Sequence, residues 1–226
     1  MSQHVIAVPA TLTLQQKIDH FISGALVKNQ DNLAPGFIHI MEELTERVIS
    51  LFLLEPANIA QFSPVMMKLV NFTANLASKT SSSLSGQLYK KASHAQLKAI
   101  ADLFQRVLWW QPANDTHGFI TTPISDEFAL QFRELANACR TGQALQNRDA
   151  ANHLCRQFAD TLIDDLFLAP TRQLDLGMVM RKILSVGVDG VKKAVHEMIN
   201  KVIKDVNEKQ MLDFVVHYEQ MITTKP

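Results

Sequence analysis

Three aspartates that lie close together in the chain are the first candidates for chemistry. Asp160 and Asp164 are four residues apart, and Asp165 follows directly. On a helix the four-residue step puts Asp160 and Asp164 on one face, where two carboxylates can hold Mg²⁺ and a diphosphate. Such a site needs a second acidic cluster on a facing helix, which the sequence lacks. We therefore favour a solvated helix face and keep a magnesium-dependent enzyme using these three aspartates as an alternative. Asp165 falls within the apolar stripe of the same helix, where we expect it either to reach solvent near the helix end or to pair with an arginine such as Arg172 or Arg181.

Histidines give no complete catalytic or metal-binding pattern. His196 and Glu197 begin the zinc-protease motif, but the second histidine of that motif is replaced by Asn200. His39 lacks the partner carboxylates on other helices that a di-iron site requires. His117 lies in the long non-helical segment 112–125. It is the one histidine that we expect on irregular backbone, and it is therefore the candidate for a general base in a loop. A lone loop histidine is usually solvated, and the sequence predicts no metal and no cofactor.

Several classes of function are disfavoured by composition and missing motifs. There is no glycine-rich phosphate loop, no nucleophile elbow and no Cys-x-x-Cys motif. Lysine plus arginine equals aspartate plus glutamate at 22 each, so no excess of positive charge attracts nucleic acid. Cys139 and Cys155 are typical of reduced core residues in a cytoplasmic protein. We identify no signal peptide, and no uncharged apolar run reaches the roughly 18 residues that span a bilayer.

The elements that position these residues are predicted to be helices. Hydrophobic residues make up 47% of the 226 residues, with only 8 glycines and 8 prolines, and strand signals are almost absent. This pattern predicts an all-α fold, a single compact bundle of eight or nine helices in one domain over residues 1–226. Helices are expected near residues 13–29, 37–55, 64–79, 92–111, 126–140, 148–168, 172–186, 189–206 and 208–222, with Thr13, Ser63, Ser93, Ser125 and Asn207 as N-caps.

The segment 92–111 is expected to lie at the centre of the bundle. Leu97, Ile100 and Phe104 repeat at helical spacing on one side, while Leu103 and Val107 form a second apolar set on the other. A helix that is apolar on two sides is expected to be packed on both. Two weaker points in the chain are predicted elsewhere, a flexible Ser-rich connection at 80–86, where a weak subdivision of the domain would fall, and a break between Gly187 and Gly190.

Amphipathic helices without a catalytic constellation favour a non-catalytic protein that works through helix-mediated association, with itself or with another protein. The alternative is a carrier or sensor of an apolar small molecule, because methionines and phenylalanines are abundant and adaptable. Its candidate ligand-binding residues are Met66, Phe104, Trp110 and Met180. The amphipathic segment 189–206 also resembles a membrane-surface helix, but its acidic residues reduce its net charge, so packing within the bundle or against a second copy is preferred.

Overall fold

The computed structural model describes residues 2–27, 33–110 and 118–225, without the side chain of Trp110. The described chain is mainly helical, with eight helices of at least 13 residues and one small sheet, so the predicted all-α class is confirmed. His117 lies outside the described residues. The helices are α1 Leu12–Leu26, α2 Leu33–Ile49, α3 Pro64–Tyr89, α4 His94–Val107, α5 Asp126–Arg140, α6 Arg148–Leu162, α7 Met178–Asp205 and α8 Glu208–Gln220.

Two of these helices continue through π-helical turns. Helix α2 runs into the π turn Ser50–Leu54 and then the short helix Glu55–Ile59. Helix α6 runs into the π turn Ile163–Leu168 and then Ala169–Thr171. Each π turn comes just before a proline in the first turn of the short helix, where a missing N–H is tolerated. Both helices therefore extend past a proline with a locally widened backbone.

A four-stranded antiparallel sheet lies beside the helices and was not anticipated from the sequence. Its strands are β1 Gln3–Pro9, β2 Leu108–Trp110, β3 Gly118–Pro123 and β4 Ile222–Lys225, in the order β2-β3-β1-β4. Val5 to Val8 are all buried, so β1 shows a continuous apolar run and not the alternation that marks a half-exposed strand. The expectation of almost no strand was therefore wrong for these short segments.

The segment 92–111 differs from its prediction in two ways. The capping box of Ser93 and Gln96 is present, but the helix ends at Val107 and Leu108–Trp110 is strand β2. Only one face is buried, while Leu103 and Val107 are partly exposed. Helix α4 packs mainly against α1 and less against α2, so the predicted central position is corrected to a peripheral one. Leu108–Trp110 pair with Gly118–Ile120 of β3 instead of continuing the helix.

The Ser-rich segment 80–86 lies inside α3 and is not a connection. Ser81 and Ser85 are buried, and the side-chain oxygens of Ser81 and Thr45 lie 2.7 Å apart across the interface between α3 and α2. Small side chains at this point allow neighbouring helices to approach closely. The prediction of a flexible connection was wrong because packing, and not helix propensity, determines the state of this segment.

The predicted break between Gly187 and Gly190 is also absent, since α7 is continuous from Met178 to Asp205. A Cβ atom at Gly187 would lie 3.0 Å from Cδ1 of Leu84 and 3.3 Å from Cγ2 of Thr80. The absence of a side chain at Gly187 therefore allows α7 and α3 to approach each other closely. It costs the helix roughly 1 kcal/mol relative to alanine, which burial along the rest of α7 offsets.

Candidate functional site

An apolar cavity lies where α2, α3, α6 and α7 meet. Its volume is about 100 Å³. Most of its lining is aliphatic or aromatic, and Thr45, Thr80 and Ser81 are the polar side chains that the described residues contribute to it. Representative lining residues from the four helices and their extensions are Met41, Phe52, Leu84, Leu162, Phe167 and Val191. Concave apolar sites between helices of a bundle are common places for small ligands.

Both π turns contribute to this cavity. The first supplies Phe52 and Leu53, and the second supplies Ile163, Leu166 and Phe167. A π turn inserts one extra residue into the helix, which widens the helix and shifts the side chains that follow. The two widened segments thus form part of the wall of the same cavity, and π turns in helices are frequent at functional sites.

The backbone of the first π turn is completed by side chains of α8. Pro56 has no N–H, so it donates neither to Phe52, four residues earlier, nor to Leu51, five residues earlier. The hydroxyl of Tyr218 donates to the Phe52 carbonyl over 2.6 Å, and Nε2 of His217 donates to the Leu51 carbonyl over 2.7 Å. These two hydrogen bonds from α8 therefore stabilise the π turn that lines the cavity.

The hydroxyls of Thr45 and Ser81 in the cavity lining are hydrogen-bonded within the protein. Thr45 Oγ1 donates to the carbonyl of Met41 over 2.7 Å and lies 2.7 Å from Ser81 Oγ, which consequently donates to it. Their donors are thus already used by the protein. The cavity is suited to a hydrocarbon group and offers little to a charged one.

A groove of about 570 Å³ leads from the surface towards the cavity between α3 and α7. Thr80 and Leu84 line both spaces, so the groove and the cavity adjoin. Ile183 and Val186 form the apolar side of the groove on α7, and both are exposed to solvent. The two spaces therefore lie on either side of Thr80 and the buried Leu84, whose side chains separate the groove from the cavity.

Asp160 and Asp164 are paired with cationic or hydrogen-bonding groups of α7. Lys192 Nζ lies 2.7 Å from Asp164 and 3.8 Å from Asp160, and His196 Nε2 lies 2.9 Å from Asp160. Because the Arg156 guanidinium donates to His196 Nδ1 over 3.1 Å, Nε2 carries the proton that His196 donates to Asp160. Within residues 2–27, 33–110 and 118–225, no group of three or more His, Cys, Asp or Glu side chains could hold a metal ion. This geometry does not favour a magnesium site.

Asp165 occupies a less polar environment than its two neighbours. Burial raises the pKa of its carboxyl above the ordinary value, and the nearby Asp164 carboxylate raises it further. Arg172 acts in the opposite direction and lowers this pKa, in line with the expected proximity of an arginine. The net direction is upward, so the charged form of Asp165 is disfavoured by the fold.

Three of the residues proposed from the sequence for an apolar ligand, Met66, Phe104 and Met180, lie elsewhere. Phe104 is buried against Phe37, with ring centroids 5.7 Å apart. Met66 and Met180 are partly buried against the core, and none of these three side chains lines the cavity or the groove. The side chain of Trp110 and all of His117 lie outside the described residues.

Sequence reasoning did not identify the cavity residues as a site. One signal in the sequence was the apolar run Leu51–Leu54, which is apolar all round at the end of α2 and comes just before Pro56. Another was the position of Leu84 in a run of small residues in α3, Ser81–Gly86. Both signals are also typical of ordinary core packing, so neither distinguishes a cavity from a filled core.

The apolar face of segment 189–206 is used inside the protein. Val195, Ile199 and Val202 are buried, and α7 packs against α6 and α3. In the described part of the chain, no helix combines the length and the hydropathy needed to cross a bilayer.

No protein-family model, no curated protein and no solved structure matches this chain.

Proposed function

We propose that this protein binds an apolar small molecule in the cavity between α2, α3, α6 and α7, and that it does so without catalysing a reaction. The observation that carries the proposal is an apolar cavity next to a surface groove, with Thr80 and Leu84 lining both. A well-packed bundle has few voids larger than a water molecule. An apolar cavity that adjoins a surface groove therefore supports a binding role.

The dimensions indicate how a ligand would divide between the two spaces. A dry apolar cavity of about 150 Å³ holds a molecule the size of benzene. The cavity of about 100 Å³ is smaller than that. A ligand would therefore place a short hydrocarbon segment in the cavity and the rest of its length in the larger groove.

The test is the binding of the neutral fluorescent probe N-phenyl-1-naphthylamine. Ala77 lines the cavity, so Ala77→Leu would fill part of it and is expected to reduce probe binding at least several-fold. Ala150→Leu is the matched control, because Ala150 is exposed on α6 and does not line the cavity. Native mass spectrometry of the protein as purified would show a bound natural ligand as mass that is lost on denaturation.

The proposal is wrong if the wild-type protein does not bind the probe and carries no ligand. It is also wrong if Ala77→Leu and Ala150→Leu bind the probe equally well. Thermal unfolding of both variants checks that reduced binding by Ala77→Leu does not come from loss of the fold.

Self-association is a second candidate, and an exposed apolar stripe on α7 favours it. Val179, Ile183 and Val186 repeat at helical spacing, and the exposed fractions of the two valines are 74% and 65%. Exposed apolar residues that are contiguous on a helix are typical of protein–protein contacts. The partner we propose is a second copy of this chain, with the two stripes in contact.

Sedimentation velocity tests self-association separately from ligand binding. Val179 does not line the groove, so Val179→Glu would interrupt the stripe and leave the groove lining unchanged. Val65→Glu is the control, because Val65 is equally exposed but lies on α3. A dimer that Val179→Glu converts to a monomer supports this candidate, while a wild-type monomer at all concentrations contradicts it.

The cytoplasm remains the location that we propose. Cys139 and Cys155 are both free and buried, as is usual for thiols in a reducing compartment.

A further inference from the structure

We infer that the ligand of the cavity is a single-chain amphiphile with an anionic headgroup, a carboxylate or a phosphate, held at the groove between Lys79 and Lys182. The inference rests on the proposed binding of an apolar ligand and specifies the chemistry of that ligand. It depends on the distribution of charge and of hydrogen-bonding groups along the path from the surface to the cavity.

The charges of the groove have one sign. Its lining contains Lys79 on α3 and Lys182 on α7, one on each of the two helices that form it, and no aspartate or glutamate from the described part of the chain. Neither lysine takes part in the ion pairs found between described residues. Two cations across an acid-free groove are complementary to an anion, in a protein whose overall charge is balanced.

Hydrogen-bonding groups add to this complementarity. Ser83 and Gln87 also line the groove, and Gln87 Nε2 donates to Ser83 Oγ over 3.1 Å. The Ser83 hydroxyl therefore retains its own O–H as a donor. A carboxylate or phosphate oxygen accepts such donors, whereas an uncharged alkane does not use them.

The cavity beyond Thr80 and Leu84 has the opposite character. It contains no charged side chain, and the hydroxyls of Thr45 and Ser81 are hydrogen-bonded to each other. An ionised headgroup would lose its hydration there without compensation. The ligand is consequently oriented with its hydrocarbon tail towards the cavity, where it displaces the buried Leu84 side chain, and with its headgroup outward at the lysines.

The test compares ligands that share a twelve-carbon chain and differ in the headgroup. Dodecanoate, dodecyl phosphate and uncharged dodecan-1-ol each compete with N-phenyl-1-naphthylamine for the wild-type protein and for the double variant Lys79→Gln/Lys182→Gln. Ion pairs at partly exposed sites are weak, so we expect the double variant to bind the two anions about three- to tenfold less tightly. Binding of the alcohol should be unchanged. Added salt should weaken wild-type binding of the anions only.

The control is Lys68→Gln/Lys193→Gln, which removes the same two charges from exposed positions on α3 and α7 outside the groove. Equal anion affinity in both double variants overturns the inference, as does equal loss of anion and alcohol in Lys79→Gln/Lys182→Gln. The proposed function fails separately, if the wild-type protein binds neither the probe nor the alcohol. A preference between dodecanoate and dodecyl phosphate identifies the headgroup, and either preference supports an anionic ligand.

Discussion

The hydroxyl of Tyr218 in α8 donates a hydrogen bond of 2.6 Å to the carbonyl of Phe52, whose usual donor position four residues later is Pro56. Tyr218 thereby replaces an N–H that the chain lacks. The ring of Tyr218 also lies 5.0 Å from that of Phe52, measured between centroids. The Tyr218 side chain thus donates a hydrogen bond to the π turn that lines the cavity and also packs against it.

Replacing Tyr218 with phenylalanine is expected to lower the free energy of unfolding by about 1–3 kcal/mol. The ring would remain, but the buried Phe52 carbonyl would lose its donor. Urea unfolding measures the change, and probe binding should weaken with it because Phe52 lines the cavity. Tyr89→Phe is the matched control, since the Tyr89 hydroxyl is buried and has no hydrogen-bond partner among the described residues. Equal destabilisation by the two substitutions would contradict the assigned role of Tyr218.

The contact between Gly187 and Leu84 predicts different effects of alanine at two glycines of α7. Gly190→Ala should stabilise the protein by about 0.5–1 kcal/mol, because alanine favours the helix and nothing lies within 4 Å of its Cβ position. Gly187→Ala should stabilise less or destabilise, because Leu84 must move away from a Cβ only 3.0 Å distant. Since Leu84 lines both the groove and the cavity, only Gly187→Ala should reduce probe binding. Equal changes in melting temperature and binding would show that this contact has no effect.

Asp165 and Asp164 are expected to respond oppositely to neutralisation. The pKa of Asp165 is raised in the folded protein, so its protonated form favours folding, and this contribution is lost as the pH rises through the folded-state pKa. Asp165→Asn should therefore raise the melting temperature near neutral pH, with a smaller gain in acid. Asp164→Asn removes the contact with Lys192 and should lower the melting temperature slightly at neutral pH. A loss of stability in Asp165→Asn at neutral pH would indicate that the Asp165 charge is stabilising.

Both thiols are expected to resist alkylation in the native protein. Burial, with a smaller contribution from Glu208, raises the pKa of Cys139 to about 11, and burial raises that of Cys155 as well. Little thiolate is present near neutral pH, and the thiolate is the reactive form. Iodoacetamide should therefore modify Cys139 and Cys155 only as urea unfolds the protein, with a midpoint matching that from circular dichroism. Rapid modification of either thiol without urea would indicate local opening of α5 or α6.

Local features of the helices were predictable from the sequence because they depend on neighbouring residues. Ser63, Ser93, Ser125 and Asn207 are N-caps as predicted, each accepting a hydrogen bond from a backbone N–H three residues later. Helix α1 begins two residues before the prediction, with Thr11 in place of Thr13 as its cap. The apolar stripes likewise identified most of the buried helix faces, since burial follows the 3.6-residue period.

The helical class and four of the helix N-caps follow from the amino-acid sequence, whereas the strands, the continuity of α3 and α7, and the cavity depend on tertiary packing. Leu108 is helical by pattern but belongs to β2, because pairing with Ile120 of β3 outweighs the helix propensity of leucine, which contributes less than about 1 kcal/mol. The sequence predicts a helix break at Gly187 and a flexible connection at Ser81. Both residues lie in continuous helices because neighbouring helices pack against them. The candidate site could not be predicted because it joins faces of four helices that are distant in sequence. Its volume depends on how closely those helices approach, and the periodicity of one helix carries no information about that distance.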